Sequence, residues 1–202
     1  MQGIPLNERK RLGALLDDRP QAEVMAMIPQ FSQAETDNFV APPAQIPEAL
    51  GVLMFNMERG VNLPEIQEFL RDCPDIQPFD VILANELDDG CARSGNKNTA
   101  RELAQAFGLN YAWGLEFIEL VNDENAKGFH GNAVFSRWPI RRAGVIRLPE
   151  QYNWYFDRQK RIGGRLAVFA ELDVGGQPVG AVSIHLENRT HGEGRKAQMA
   201  AI

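Results

Sequence analysis

Two apolar runs, Gly51-Val52-Leu53-Met54-Phe55 and Val81-Ile82-Leu83-Ala84, constrain this chain more than any other feature. Each is a short run apolar at consecutive positions, which reads as a strand, and Val81–Ala84, too short for a helix, reads as a strand buried on both faces. Between them Asn62 stands where a helix cap would, Pro64 falls in the first turn, and Leu63, Ile66, Phe69 and Leu70 share one helical face. A strand, a helix and a strand in that order make neighbouring, parallel strands. The polar residues that end them, Asn56 and Asn85-Glu86-Leu87-Asp88, then lie side by side on one sheet edge. In open α/β sheets that edge is where ligands bind. A carboxylate there can hold a hard divalent cation through oxygen. A strand that simply ends in solvated acids would look the same.

The remaining segments are read from the same signals. Ser94-Gly95-Asn96-Lys97-Asn98 leads into a helix over Thr99–Phe107, with Gly108 suited to its C-terminal cap. Leu109–Leu120 reads as a long strand in which Glu116 and Glu119 have opposite parity, so that one faces solvent and the other the site. Ala126–His130 reads as a turn, Asn132–Ser136 and Gly144–Leu148 as strands, and Gln151–Arg161 as a loop. Residues 164–173 and 178–186 flank Gly175-Gly176 as a hairpin, and a helix begins near Thr190. Residues 1–48 read as an N-terminal extension, with short helices over 7–16 and 21–31 and a Pro42-Pro43 and Pro47 connector. No chemistry is legible there, and residues 49–202 carry the domain of interest.

Composition narrows the class without choosing the substrate. Hydrophobic residues at 44% and charged residues at 24% are ordinary for a globular chain, and no apolar run approaches a membrane span. The N-terminus lacks a signal-peptide core, which points to a cytoplasmic chain. Cys73 and Cys91 show neither metal spacing nor a disulfide framework. The net charge of −6 is unevenly spread: residues 1–126 hold 9 Lys and Arg against 21 Asp and Glu, and residues 127–202 hold 12 against 6. An acidic half beside a basic half suits a metal site next to a phosphate-binding surface, and equally suits uneven surface decoration.

Four motifs occur in order: Phe55-Asn56, Asn85-Glu86-Leu87-Asp88, Gly131-Asn132-Ala133-Val134-Phe135-Ser136-Arg137-Trp138-Pro139-Ile140, and Ile184-His185-Leu186-Glu187. Over about residues 50–202 the chain therefore resembles the endonuclease/exonuclease/phosphatase superfamily. That resemblance implies an α/β fold, a two-sheet sandwich with outer helices in four layers (α/β/β/α), here without its C-terminal part. It implies a magnesium-dependent phosphodiester or phosphomonoester hydrolase, with manganese in magnesium's place as the variant. By the same resemblance Glu86 and Asn56 hold the metal, with Asn56 also among the catalytic residues, His185 acts on the scissile phosphate, Glu116 orients that histidine, and His130 and Asn132 contact phosphate. The substrate is a phosphate ester: a nucleic acid, a phospholipid or a sugar phosphate.

After the His185 strand, family members carry Gly-Asp-x-Asn and Asp-His motifs, and neither occurs in this sequence. The expectation is therefore of a truncated chain that is inactive alone and self-associates through an exposed sheet. The competing expectation is a non-catalytic phosphate- or protein-binding module that keeps the fold.

Overall fold

The computed structural model describes all 202 residues. Strand β1 spans Ala34–Asp37, β2 Val52–Arg59, β3 Val81–Asp89, β4 Asn110–Glu119 and β5 Phe129–Ser136. They form one sheet in the order β1-β4-β5-β3-β2, with β7 (Arg161–Gly163) pairing onto the end of β4. Strands β6 (Ile140–Arg147), β8 (Leu166–Val174) and β9 (Gln177–Ile184) form a second sheet in the order β6-β8-β9. β2 and β3 are parallel neighbours with Asn56 opposite Asn85, as the strand–helix–strand pattern requires.

Helix α3 (Leu63–Asp72) and helix α4 (Thr99–Phe107) both pack on the outer face of the first sheet, where Leu63, Leu70, Leu103 and Ala104 join Ile82 and Ala84. Asn98 caps α4 by accepting the Arg101 N–H at 2.9 Å, and Gly108 closes it in the left-handed conformation. Asn62 occupies the cap position of α3, but its side chain makes no capping bond. The space between the sheets is filled from both sides: Val81, Ala112, Val134 and Trp138 meet Leu166, Val168, Ala170 and Ala181. This core contains no helical residue, so the layers run helices, sheet, sheet.

The segment expected as an N-terminal extension shares the first core. Helices α1 (Leu6–Ala14) and α2 (Gln21–Ala26) bring in Leu12 and Val24, and Ile28 and Phe31 follow them. β1, absent from the sequence reading, adds antiparallel to β4. At the opposite side β2 is a free edge. There Val52 and Met54 are 59% and 74% exposed, on the face away from α3, against which Phe55 stacks through Phe69. Helix α5 (Gly192–Met199) follows β9 and is tied down through Gln198, which donates to the Pro149 carbonyl and accepts the Glu187 N–H. No helix is long and apolar enough to cross a membrane. Both cysteines are free.

Three local expectations are corrected. Residues 151–161 are not all loop, because a short helical turn at Trp154–Phe156 leads into β7. His130 is not a turn residue, because β5 begins at Phe129 and carries it inside the sheet. Glu119 does not face solvent: both Glu116 and Glu119 are buried. A bulge at Glu116, where the pairing steps from Leu115 opposite Gly131 to Phe117 opposite His130, breaks the alternation on which the parity reading relied. Buried Glu119 lies 3.0 Å from Arg161 and 3.0 Å from Arg93.

Candidate active site

The site forms where the C-terminal ends of β3 and β9 meet. The two sheets are stapled there by hydrogen bonds: Asn85 Nδ2 donates to the Ile184 carbonyl at 3.2 Å, and Ser183 Oγ donates to the Ala84 carbonyl at 3.0 Å. Each staple lies one or two residues before a functional side chain, Glu86 in one sheet and His185 in the other. Glu86 sits in a bulge, where β3 slips against β5 between Ala84 and Leu87. Its φ of 59° is in the left-handed region, uncommon for a residue with a Cβ. Asn132 of β5 holds the bulge by accepting the Glu86 N–H at 3.1 Å.

The Glu86 carboxylate accepts from Asn56 Nδ2 at 3.2 Å and lies 3.8 Å from His185 Nε2. Asn56 turns its other amide atom, Oδ1, toward the Glu58 N–H at 2.9 Å. The amide thus orients the carboxylate. Glu86 and His185 are 23% and 19% exposed, enough for a ligand to reach both.

Behind His185 the expected contact takes another form. Glu116 Oε2 is 3.7 Å from His185 Nδ1, too long for a hydrogen bond. Arg165 lies between them, with Nη1 3.3 Å from Glu116 Oε1 and 3.0 Å from His185 Nδ1. Because a guanidinium only donates, Nδ1 is assigned as the acceptor and the ring proton of the neutral imidazole as residing on Nε2. Arg165 also donates from Nε to Glu187 Oε2 at 3.2 Å, and the same oxygen accepts from Trp154 Nε1 at 2.8 Å. Burial raises the Glu116 carboxyl, but Arg165, with His185 and His130, outweighs it and holds the group at about 2. Burial opposes the charge of Arg165 too, and Glu116 and Glu187 more than compensate.

His130 and Asn132, expected to contact phosphate, are 2% and 0% exposed and do not reach the surface. His130 Nδ1 instead pairs with Asp88 Oδ1 at 2.8 Å, and its Nε2 is 3.9 Å from Glu116 Oε2. Arg93 grips the same Asp88 carboxylate with two bonds, at 2.7 and 2.9 Å. Burial raises the Asp88 carboxyl, and the hydrogen bonds from Arg93 and His130 overcome this and bring it to about 2.

Arg165, Asp88, Arg93 and Glu187 were missed as members of the site. The available signal was an arginine directly after Gly163-Gly164, at the mouth of the apolar run Leu166–Phe169, where an unpaired charge is costly.

A metal fits the donor set in one way only. No group of three or more His, Cys, Asp or Glu side chains is arranged so that it could hold a metal ion. Asn56 Oδ1, expected at the metal, is turned to the Glu58 N–H, and the one carboxylate left at the edge, Glu86, matches the habit of magnesium, which keeps most of its waters and binds through one or two carboxylates together with substrate phosphate.

Two facing sheets, helices on the outer side of one, and the Asn56–Glu86–His185 edge give the chain the fold of the endonuclease/exonuclease/phosphatase proteins. The solved endonuclease/exonuclease/phosphatase from Beutenbergia cavernae DSM 12333 is similar at a TM-score of 0.54 and 21% identity, over 74% of this chain. An endonuclease/exonuclease/phosphatase family protein from Leptotrichia buccalis C-1013-b gives 0.46 and 20% over 70%, and SmcL gives 0.44 and 14% over 76%. This chain spans 42%, 57% and 55% of those three. At such identities the likeness is one of fold. No protein-family model matches the sequence, and no curated protein matches it.

Proposed function

We propose that this chain carries the phosphate-binding side of a magnesium-dependent phosphoester hydrolase. The observation that supports this best is the approach of Glu86 and His185, from two different sheets, to 3.8 Å at one accessible edge above a buried ionic support. Magnesium on Glu86, with manganese in its place as the variant, supplies charge neutralisation of the phosphoryl oxygens when bound. Asn56 holds the Glu86 carboxylate in place. His185 offers its Nε2–H to a phosphoryl oxygen, because Arg165 occupies Nδ1. Arg165, anchored by Glu116 and Glu187, keeps the ring from rotating and holds its Nε2–H toward the edge.

With Glu86 assigned to the metal and His185 to the phosphate, no further carboxylate or imidazole among the converging side chains is left to activate a water. Residues 1–202 by themselves are therefore expected to bind phosphate esters and to turn them over several orders of magnitude more slowly than a site with its base in place. The test is magnesium-dependent hydrolysis of bis(4-nitrophenyl) phosphate, run beside calorimetric binding of inorganic phosphate with magnesium. Glu86→Gln and His185→Ala should each remove the magnesium-dependent signal in whichever assay registers one. Turnover unchanged by Glu86→Gln would show that the metal assignment is wrong. A non-catalytic phosphate-binding module is the second reading, favoured by the lack of a three-ligand metal cluster. It predicts binding with no turnover under any metal.

A further inference from the structure

Beside the Glu86–His185 edge runs an open groove of about 550 Å³, lined by Arg59, Trp154, Asp157, Arg158, Gln159, Asn188 and Arg189. Its walls come from three parts of the chain, each joined directly to the site. Arg59 ends β2 opposite Leu87, the residue after Glu86. Asn188 and Arg189 follow His185 by three and four residues. Trp154 forms the floor and hydrogen-bonds the Glu187 oxygen that also holds Arg165.

The arginines beneath the site and those of the groove differ in what balances them. Those beneath the site each face acids: Arg93 pairs with Asp88 and Glu119, Arg161 with Glu119, and Arg165 with Glu116 and Glu187. In the groove only Arg189 approaches an acid, Asp157 at 3.7 Å, and the hydroxyl of Tyr152 already donates to that carboxylate at 2.9 Å. Arg59 and Arg158 form no salt bridge. Three guanidiniums against one carboxylate leave the groove with two uncompensated positive charges, in a chain whose overall charge is −6. Arg59 is also held at a φ of 68°, directly after Glu58 at 46°, in the β2 bulge that turns the strand end toward the groove. Concentrated, unpaired guanidinium charge beside a phosphoester site matches further phosphate, which arginine binds through paired N–H donors.

We propose that this groove is a subsite for a second phosphate of the substrate, so that the site takes esters carrying two or more phosphates in preference to those carrying one. The proposal rests on the phosphoester reading above and deepens it. The chemistry can come from a nucleotide chain or from a small polyphosphorylated molecule, and the two are separated by the choice of probe.

The experiment is calorimetric binding to residues 1–202, with Glu86 and His185 intact, using inorganic phosphate, tripolyphosphate, hexathymidylate and phosphocholine. Tripolyphosphate or hexathymidylate should bind at least ten-fold more tightly than phosphate or phosphocholine. The variant Arg59→Gln/Arg158→Gln/Arg189→Gln should remove that preference while leaving phosphate affinity within about two-fold. Lys196→Gln, which removes one exposed positive charge on α5, should leave the preference intact. Binding of tripolyphosphate alone points to a small polyphosphate, and tight hexathymidylate binding points to a nucleotide chain. Equal affinity for all four probes, or loss of the preference in Lys196→Gln as large as in the arginine variant, overturns the subsite. Because every arm is read without hydrolysis, the subsite can fail while the Glu86 test succeeds, and the reverse.

Discussion

Two layers of charged residues lie one above the other at the meeting of the sheets, and they are built by opposite rules. In the lower layer, Asp88, Glu116, Glu119 and Glu187 are buried and each is matched to an arginine. In the upper layer, Asn56, Glu86, His185, Arg59, Arg158 and Arg189 reach solvent, and most of their charge is unmatched. A buried charge is tolerated only when its counter-charge is fixed, and in the lower layer every carboxylate has an arginine beside it. A ligand can act only on charge left available, and that is the upper layer. The comparison separates residues that hold the geometry from residues that meet the substrate, and it predicts different responses to the same kind of mutation.

The sharpest break is at Arg165. Arg165→Met leaves Glu116 and Glu187 buried without their shared partner, and chemical denaturation should show a loss of about 3–5 kcal/mol. Adding Glu116→Leu removes one orphaned charge and should restore at least about 1 kcal/mol, a coupling expected of contacting residues. A single variant that loses less than about 1 kcal/mol would show that the lower layer is not the support described.

Acid should act on the same layer. Asp88 and Glu116 stand at about 2 in the folded chain against ordinary values of 3.8 and 4.5. Depressed folded values mean that their stabilisation is complete above the ordinary values and is lost as pH falls from about 4.5 toward 2. The loss is on the order of 2–3 kcal/mol for each group. Denaturation midpoints measured between pH 6 and pH 2.5 should fall steeply. Asp88→Asn, which starts with its charge removed, should flatten the curve, whereas Glu68→Gln, at an exposed carboxylate of α3 outside any ion pair, should leave its shape unchanged. A wild-type midpoint that is level across this range would contradict the assignment.

In the upper layer the sign reverses. Glu86→Gly relieves a left-handed backbone and removes one partly exposed hydrogen bond, so it should raise stability by about 0.5–1 kcal/mol while removing the proposed metal ligand. A destabilised Glu86→Gly would mean that the bulge depends on the glutamate side chain. The smallest change is expected for His185→Ala, within about 0.5 kcal/mol of the parent, because Arg165 keeps its two carboxylates without the ring. A large loss there would place His185 in the lower layer.

The sequence carried the frame of this site well. Apolar runs bounded by Pro and Gly marked β2 and β3, the crossover between them made the pair parallel, and the polar ends put Asn56 beside Glu86. The hairpin at Gly175-Gly176 carried His185 to a strand end. Those signals are local, and secondary-structure periodicity suffices to read them. The partners of His185 are not local. Arg165 reaches it through a contact twenty residues distant in sequence and Glu116 through one nearly seventy distant, and a bulge in β4 decides which way Glu116 points.

The same limit explains the misplacement of His130 and Asn132. The sequence reads His130 as the end of a turn and Asn132 as the start of a strand, but the β5 pairing with β3 and β4 on both sides puts both inside a sheet, where they serve Asp88 and the Glu86 backbone. The N-terminal residues Leu12, Val24 and Phe31 look alike whether they cover this core or another surface, and only their packing shows which. By itself, then, the sequence determined the elements, their order and the residues at the strand ends, because propensity, turn chemistry and the crossover rule act over a few residues. The tertiary structure alone decided which charges are paired and which are left open, because a counter-ion is chosen by distance in space and by desolvation, and neither is written in local sequence.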